Sequence, residues 1–456
     1  MNPTIPQGTR DLDAESIWKR RYILNTIQQV FELYGFQPLE TPALENIETL
    51  MGKYGEEGDK LIFKILNNGL DNEGKKQAIL KGFEEVLQGK TNRDLTSRAL
   101  RYDLTIPFAR YVAMNHKQLI MPFKRYQMQS VWRADRPQKG RYREFFQCDA
   151  DVVGTRSIIA EVEFAEIYKK VFHQLRLPAK IKVNSRNILL GLANLCEVQD
   201  ASTITVAIDK LDKIGVIGVE EELRKKKLSE GKILIIKDYL SISGSIEAKI
   251  SAIKKLLKSP AAQEGIKEVE AFFQYLEDDK KFDDISLDLT LARGLDYYTG
   301  IVFEVKIPGI KLGSVGGGGR YDNLTSLFGV EDIPGSGISF GIDRIYDCMQ
   351  ELNLFPAENT NTPYALFMNL GEKESLVSFR LMQKLRNAGI SCEIFYDQAK
   401  LDKQFKYATK KNIPYTIIIG TREIEKRIVM VKELKTGNQS ELPFDGLIPF
   451  FQDLNH

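Results

Sequence analysis

The sequence predicts an α+β protein: a domain built on an antiparallel sheet with flanking helices, interrupted by a helical insertion and followed by an α/β domain with a mixed sheet. Three observations predict it. Polar and apolar residues alternate over residues 123–133 and again over 146–152, on either side of the loop RPQKGR, which is the pattern of a long half-buried hairpin. A Lys-rich stretch from about 203 to 281 has helical spacing between β-rich flanks. Beyond NLFPAENTNTP, strands alternate with helices to the end of the chain.

A chain of 456 residues exceeds one ordinary domain. The expected boundaries are 1–202 with 282–352 for the core, 203–281 for the insertion, 353–363 for a linker and 364–456 for the C-terminal domain. Hydrophobic residues make up 43% and charged residues 28%, as in globular proteins with ample core. The formal charge of +2 supplies no bulk attraction for nucleic acid, so any such surface must come from local patterning. Four dispersed cysteines without a CxxC pair fit reduced thiols, not a disulfide frame or zinc site. The N-terminus carries no secretory pattern, and no run approaches the roughly 20 apolar residues of a membrane helix; a cytosolic location is expected. With only His116, His173 and His456, a His-based triad or multi-His metal site is disfavoured, and no residue is assigned as a metal ligand.

Along the chain, residues 16–33 have helical periodicity ending at Gly35, and FQPLETPAL is a short extended segment broken by prolines. SRALRYDLTIPFARYVAMN is a strand leading into a helix, with Thr105 as its expected N-cap and Pro107 in the first turn. In the hairpin, seven Lys and Arg stand against the single Asp135 between Lys124 and Arg143. If its two polar faces lie on one side, cations and carboxylates share a floor suited to a ligand carrying phosphate and amine. Residues 155–175 form an amphipathic helix, with Glu161, Glu163 and Glu166 on its solvated side. The insertion is a surface helical subdomain or a basic clamp for RNA.

The alternation resumes in DISLDLTLARGLDYYTGIVFEVKIPG. Gly316 to Gly319 then form a tight turn, or let backbone approach a ligand closely; no P-loop follows them. GSGISFGIDRIYDCMQEL is a strand and then a helix from about Gly341. Arg344 in its first turn opposes the helix dipole, a placement that an anionic ligand would justify. Arg133, Arg293 and Arg344 thus fall on separate element ends; together their forks suit a nucleotide polyphosphate, leaving Asp103, Gln147 and Asp151 for an amine or other donor.

These residues carry a resemblance. VWRADRPQKGRYREFFQCDADVVG and GISFGIDRI are similar to the second and third motifs of class II aminoacyl-tRNA synthetases, and GTRDL with YGFQPLETPALE to the opening and the dimer-forming motif. LARGLDYYTG and SVGGGGRYDNL resemble the two signatures of histidyl-tRNA synthetases. The resemblance spans nearly the whole chain. It implies an enzyme that makes histidyl-adenylate from L-histidine and ATP with Mg²⁺, transfers the histidine to tRNA(His), works as a homodimer and binds the anticodon with its C-terminal domain.

By the same resemblance Arg133 holds the α-phosphate and Arg293 neutralises carboxylate and phosphate as they react. Arg141, Phe145 and Arg344 bind ATP, with adenine between Phe145 and Arg344. Asp103, Thr105 and Gln147 take the α-amino group, Asp151 with Tyr298 holds the imidazole, and Tyr297 also belongs to the histidine-binding set. Arg136 and Gln138 at the hairpin tip meet the tRNA acceptor end. Asp103 and Asp151 stand where bacterial-type members usually carry Glu, keeping the charge with one methylene less. Two rivals stand beside this reading. A silent paralogue regulating ATP phosphoribosyltransferase would lack the C-terminal domain and erode the arginines; an RNA-binding module would not need the paired carboxylates.

Overall fold

The computed structural model describes residues 2–54, 58–276, 284–292, 297–356 and 362–454. Arg293, and part of the expected linker 353–363, lie outside the described residues. The chain divides into two compact units, Met1–Phe355 and Pro356–His456.

The first unit contains strands β1 (Gln37–Pro38), β2 (Leu44–Asn46), β3 (Lys64–Ile65), β4 (Arg98–Leu100), β5 (Phe123–Trp132), β6 (Glu144–Val153), β7 (Lys180–Ser185), β8 (Ile285–Leu287), β9 (Ile301–Lys306), β10 (Gly316–Arg320) and β11 (Gly335–Gly341). Eight of them form one sheet in the order β1-β5-β6-β11-β10-β9-β7-β8. Its six inner strands are antiparallel, and the short edge strands β1 and β8 pair in parallel. Strands β2, β4 and β3 make a second, small sheet.

The helix Ala14–Leu33 covers one face. The Asp13 side chain accepts from Ser16 N at 2.8 Å to start it, and Gly35, at φ +78°, lets the chain turn away. Its apolar stripe, Ile23, Ile27, Val30 and Phe31, is buried, with the Phe31 ring 5.6 Å from Tyr126 and 5.8 Å from Phe340. Five helices, Ser202–Asp209, Leu211–Lys225, Glu230–Ser241, Ile246–Leu256 and Pro260–Gln274, occupy the expected insertion. They share the sheet's core through Ile236, Tyr239, Val269 and Phe272. The last crosses the helix Arg186–Leu195 so closely that a Cβ on Gly191 would stand 2.4 Å from that of Ala262.

Three expectations are corrected. Thr105 is the first residue of the helix Thr105–Asn115, not its cap; the Asp103 carboxylate two residues earlier accepts from Ile106 N at 3.1 Å and does the capping. Glu161 is not solvated. It is fully buried and held by Arg320 at 2.8 Å, because the helix Ile159–Gln174 turns that side toward the sheet. The glycine run is neither a turn nor a loop but strand β10 in the middle of the sheet. A Cβ on Gly318 would lie 2.2 Å from Gly337 O, and one on Gly316 2.7 Å from the Tyr168 ring, so side chains are excluded at these two positions, which share one face of the strand.

In the second unit, β12 (Ala365–Phe367), β13 (Cys392–Ile394), β14 (Tyr415–Ile418), β15 (Ile428–Glu433) and β16 (Gln439–Pro443) form a sheet in the order β13-β12-β14-β15-β16. The first three are mutually parallel and the last two antiparallel, the mixed sheet expected. Helices Glu372–Asn387 and Leu447–Asp453 bury Leu381, Leu385 and Phe451 in one core, while the helix Leu401–Lys410 contributes Ala408 to another with Leu366 and Met368.

Candidate active site

The polar residues of β5 and β6 meet on one side of the hairpin. Register pairs Arg125 with Asp151, Gln127 with Asp149 and Gln129 with Gln147, so cations and carboxylates do share one floor. Above it lies a cavity of about 470 Å³. Of the expected site residues, Asp103, Thr105, Arg133, Arg141, Phe145, Gln147, Tyr297, Tyr298 and Arg344 line this cavity, together with Asp149 and the edge of β10. Gly316, Gly317 and Gly318 of β10 are among its lining residues, so backbone without side chains forms part of the wall.

The arginines are clamped without being neutralised in the same way. Arg133 Nε donates to Tyr102 O at 3.0 Å, and its guanidinium lies 4.2 Å from the Tyr102 ring and 5.1 Å from that of Phe145. It has no carboxylate partner among the described residues. Arg344 spends donors on backbone carbonyls, Gly140 O at 3.0 Å and Ser314 O at 2.7 Å. Arg141 is held by Asp135 at 2.9 Å. The turn that returns the hairpin is closed by Gln138 N to Arg141 O and Arg141 N to Gln138 O, with Gly140 at φ +71° where a side chain would be strained. Arg136 and Gln138 stand exposed at this tip. Gln138 and Lys139 border a second cavity instead of the first.

The opposite end is acidic and buried. Asp103 accepts from Tyr54 Oη at 2.9 Å with Oδ1, but its buried Oδ2 has no partner. Gln147 Nε2 donates to Ser339 Oγ at 2.9 Å and leaves Oε1 unused. Asp149 Oδ1 is likewise buried and unpartnered. Three acceptors lacking donors therefore converge on one cavity, each costly to bury unless a ligand supplies an N–H. Burial pushes the Asp149 carboxyl up to about 7, against the pull of Arg125 and with the help of Asp151. Burial also raises Asp103, which Arg133 opposes.

Asp151, expected at the imidazole, is placed differently. Its Oδ2 pairs with Arg125 Nη2 at 2.8 Å, its Oδ1 accepts from Tyr321 Oη, and it does not line the cavity. The side chain that reaches the cavity from this part of β6 is Asp149, two residues earlier on the same face. Alternation had placed both on the polar face; only the packing of Arg125 and Tyr321 separates them. Asp343 was also missed: it accepts from Arg10, Arg20 and Phe146 N, tying the N-terminal GTRDL segment and the helix Ile342–Glu351 to the hairpin.

An antiparallel sheet with a cationic hairpin, an arginine on the following strand-to-helix corner and acids at the far end is the arrangement that class II aminoacyl-tRNA synthetases require, as the motifs imply. The family described as histidyl-tRNA synthetase matches residues 85–345, and that described as anticodon binding domain matches 365–454. The chain is 49% identical over 454 residues to a histidine–tRNA ligase of Christiangramia forsetii and 48% identical over 460 residues to one of Bacteroides fragilis, covering 98% of each chain in both cases. A histidyl-tRNA synthetase crystal structure from a Nostoc species matches with a TM-score of 0.77 at 29% identity over 99% of both chains. The chain belongs to the histidyl-tRNA synthetase family, and is a class II ligase that couples ATP to the charging of tRNA(His) with L-histidine. A structure titled as an ATP phosphoribosyltransferase regulatory subunit/histidyl-tRNA synthetase shares only the fold, at 20% identity.

Proposed function

We propose that the cavity binds L-histidine at its acidic end and ATP along the arginines. The observation that carries this reading is the set of orphaned acceptors. Asp103 Oδ2 and Gln147 Oε1, beside Thr105, suit the α-ammonium, and Asp149 Oδ1, beside Tyr297 and Tyr298, suits an imidazole N–H. Asp151 acts through Arg125 and Tyr321, fixing the floor beneath the ring. Phe145 and Arg344 flank adenine, with Arg141 and Arg344 toward the terminal phosphates.

In the first step the histidine carboxylate attacks the α-phosphorus in line, the bond to the β-phosphate oxygen breaks, and pyrophosphate leaves with its electron pair. Both reactants are anions, so alignment and charge stabilisation by Arg133, and by Arg293 as the resemblance assigns it, are the main contribution. In the second step the terminal ribose hydroxyl of the tRNA attacks the acyl carbon; an adenylate phosphate oxygen accepts the proton and AMP departs. Arg136 and Gln138, exposed at the tip, receive the acceptor end.

Mg²⁺ is assigned as the companion of ATP. Among the described residues no cluster of three His, Cys, Asp or Glu could hold a metal by itself. The carboxylates lining the phosphate side, Asp135 and Glu304, are engaged by Arg141 and Lys306. That donor set fits a cation carried on the triphosphate itself; Glu304 and Asp135 would hold it only by giving up Lys306 and Arg141. It would supply neutralisation of phosphate charge.

The division into core 1–202 with 282–352, insertion 203–281 and anticodon-binding domain 364–456 is kept as the functional organisation, in a cytoplasmic homodimer. Among the described residues no helix is long and apolar enough to cross a membrane. Light scattering tests the dimer. Histidine-dependent ATP–pyrophosphate exchange, with every other amino acid as control and Arg293→Ala alongside, tests the chemistry: exchange with histidine alone, abolished in the variant, is expected, and normal exchange by the variant would overturn the role of Arg293.

A further inference from the structure

A second, larger cavity of about 810 Å³ adjoins the first. Gly140, Arg141, Ser314 and Arg344 line both, so the two meet at the hairpin turn and the start of the helix Ile342–Glu351. Its remaining cations come from three separate segments: Lys139 from the hairpin, Lys213 from the helix Leu211–Lys225 and Lys311 from the loop between β9 and β10. Only Asp209 and Glu351 oppose them among its lining residues. Glu351 is already paired with Lys139 at 3.0 Å. Lys213 and Lys311 are exposed and carry no ion pair among the described residues.

Charge is therefore graded along the joined cavities. The first is lined by the buried acids Asp103 and Asp149, both by Arg141 and Arg344, and the second by Lys213 and Lys311, which have no ion pair among the described residues. A polyanion released at the junction is repelled from the acidic end and drawn to the lysines, because low-dielectric walls focus such a field. We infer that this second cavity is the vestibule through which inorganic pyrophosphate leaves after adenylate formation and re-enters for the reverse reaction. The inference rests on the proposed placing of the ATP phosphates at Arg141 and Arg344. No bond changes in this step: the phosphoanhydride has already been cleaved, and the product exchanges one set of cations for another.

The test uses the full-length enzyme in histidine-dependent ATP–pyrophosphate exchange with pyrophosphate as the varied substrate. Lys213→Gln and Lys311→Gln remove exposed charges and should each raise the KM for pyrophosphate about two- to fivefold, the range expected for an exposed ionic contact. The double variant should exceed either, with the KM values for ATP and histidine unchanged and a shallower dependence on salt. A double variant with wild-type KM for pyrophosphate overturns the inference. So does one in which only the KM for tRNA rises during aminoacylation, which would give the lysines to RNA. Absence of exchange by the wild-type enzyme would instead sink the underlying reading of the site.

Discussion

Arg125 and Asp151 face each other across the hairpin in register, Nη2 to Oδ2 at 2.8 Å, with side-chain exposures of 0% and 3%. Each has been stripped of water, and neither tolerates loss of the other. Arg125→Met leaves Asp151 and Asp149 without the cation that lowers both carboxyls. The variant should lose about 3–5 kcal/mol of stability, the usual result of stranding one member of a buried pair. Thermal unfolding measures it. Arg125→Met with Asp151→Leu should recover part of the loss, and a single variant as stable as wild type would contradict the pairing.

The raised Asp149 carboxyl makes a pH prediction. Its ordinary value is 3.8 and the folded value is about 7, so the folded chain keeps a proton that the unfolded chain has released. Folding stability from this group is present at low pH and declines as pH rises through that window. Asp149→Asn removes the decline, so the variant should gain on wild type between about pH 4 and 7 in ligand-free thermal unfolding. Histidine affinity should move the opposite way, because the ionised acceptor is lost. Parallel stability profiles would show that Asp149 does not titrate there.

Strand β10 has no room for a side chain at Gly316 or Gly318. Gly318→Ala places a Cβ 2.2 Å from Gly337 O and must spread β10 from β11, whereas the nearest atom to a Cβ on Gly317 is Phe303 O at 3.3 Å. Gly318→Ala should therefore cost about 1–3 kcal/mol, the range for overpacking. Gly317→Ala should fold nearly normally but narrow the cavity and raise the KM for substrates. Thermal unfolding and exchange kinetics together separate the two.

Arg133 offers a fork that aromatic rings hold but no carboxylate satisfies among the described residues. Arg133→Ala should lower the rate of pyrophosphate exchange about 10²–10³-fold, as removal of one donor to a developing anion does. Arg133→Lys should not restore it, since an ammonium lacks the planar pair of donors. Substantial rescue by Lys would reduce Arg133 to a generic positive charge.

Strand β5 and strand β6 were legible because alternation with period two assigns each residue to a face before any fold is known. The cationic tip and the helix beginning at Gly341 were legible for the same local reason. Glu161 was not: helical spacing tells which residues share a face, but not that another segment, here Arg320 on β10, will cover the face that carries the charge. Thr105 was misread because the geometry of the preceding turn, which local pattern does not give, aims Asp103 at the free Ile106 N–H. Four glycines read equally well as a turn or a close approach; only the neighbours β9 and β11 make them a strand.

The sequence by itself determined the elements, their polar faces and the family motifs, since these depend on neighbours within a few residues. It also determined which residue types were available, with arginines for anions and almost no histidine for proton transfer. Tertiary structure decided which of two acids on one polar face reaches the cavity. Asp151 is held by Arg125 and Tyr321 while Asp149 lines the cavity, and that difference comes from side chains brought together across strands and from more than a hundred residues away. It likewise joined Lys139, Lys213 and Lys311 around one cavity. Local pattern cannot encode such meetings, because burial and desolvation are properties of the packed neighbourhood, and they set the charge state of each acid.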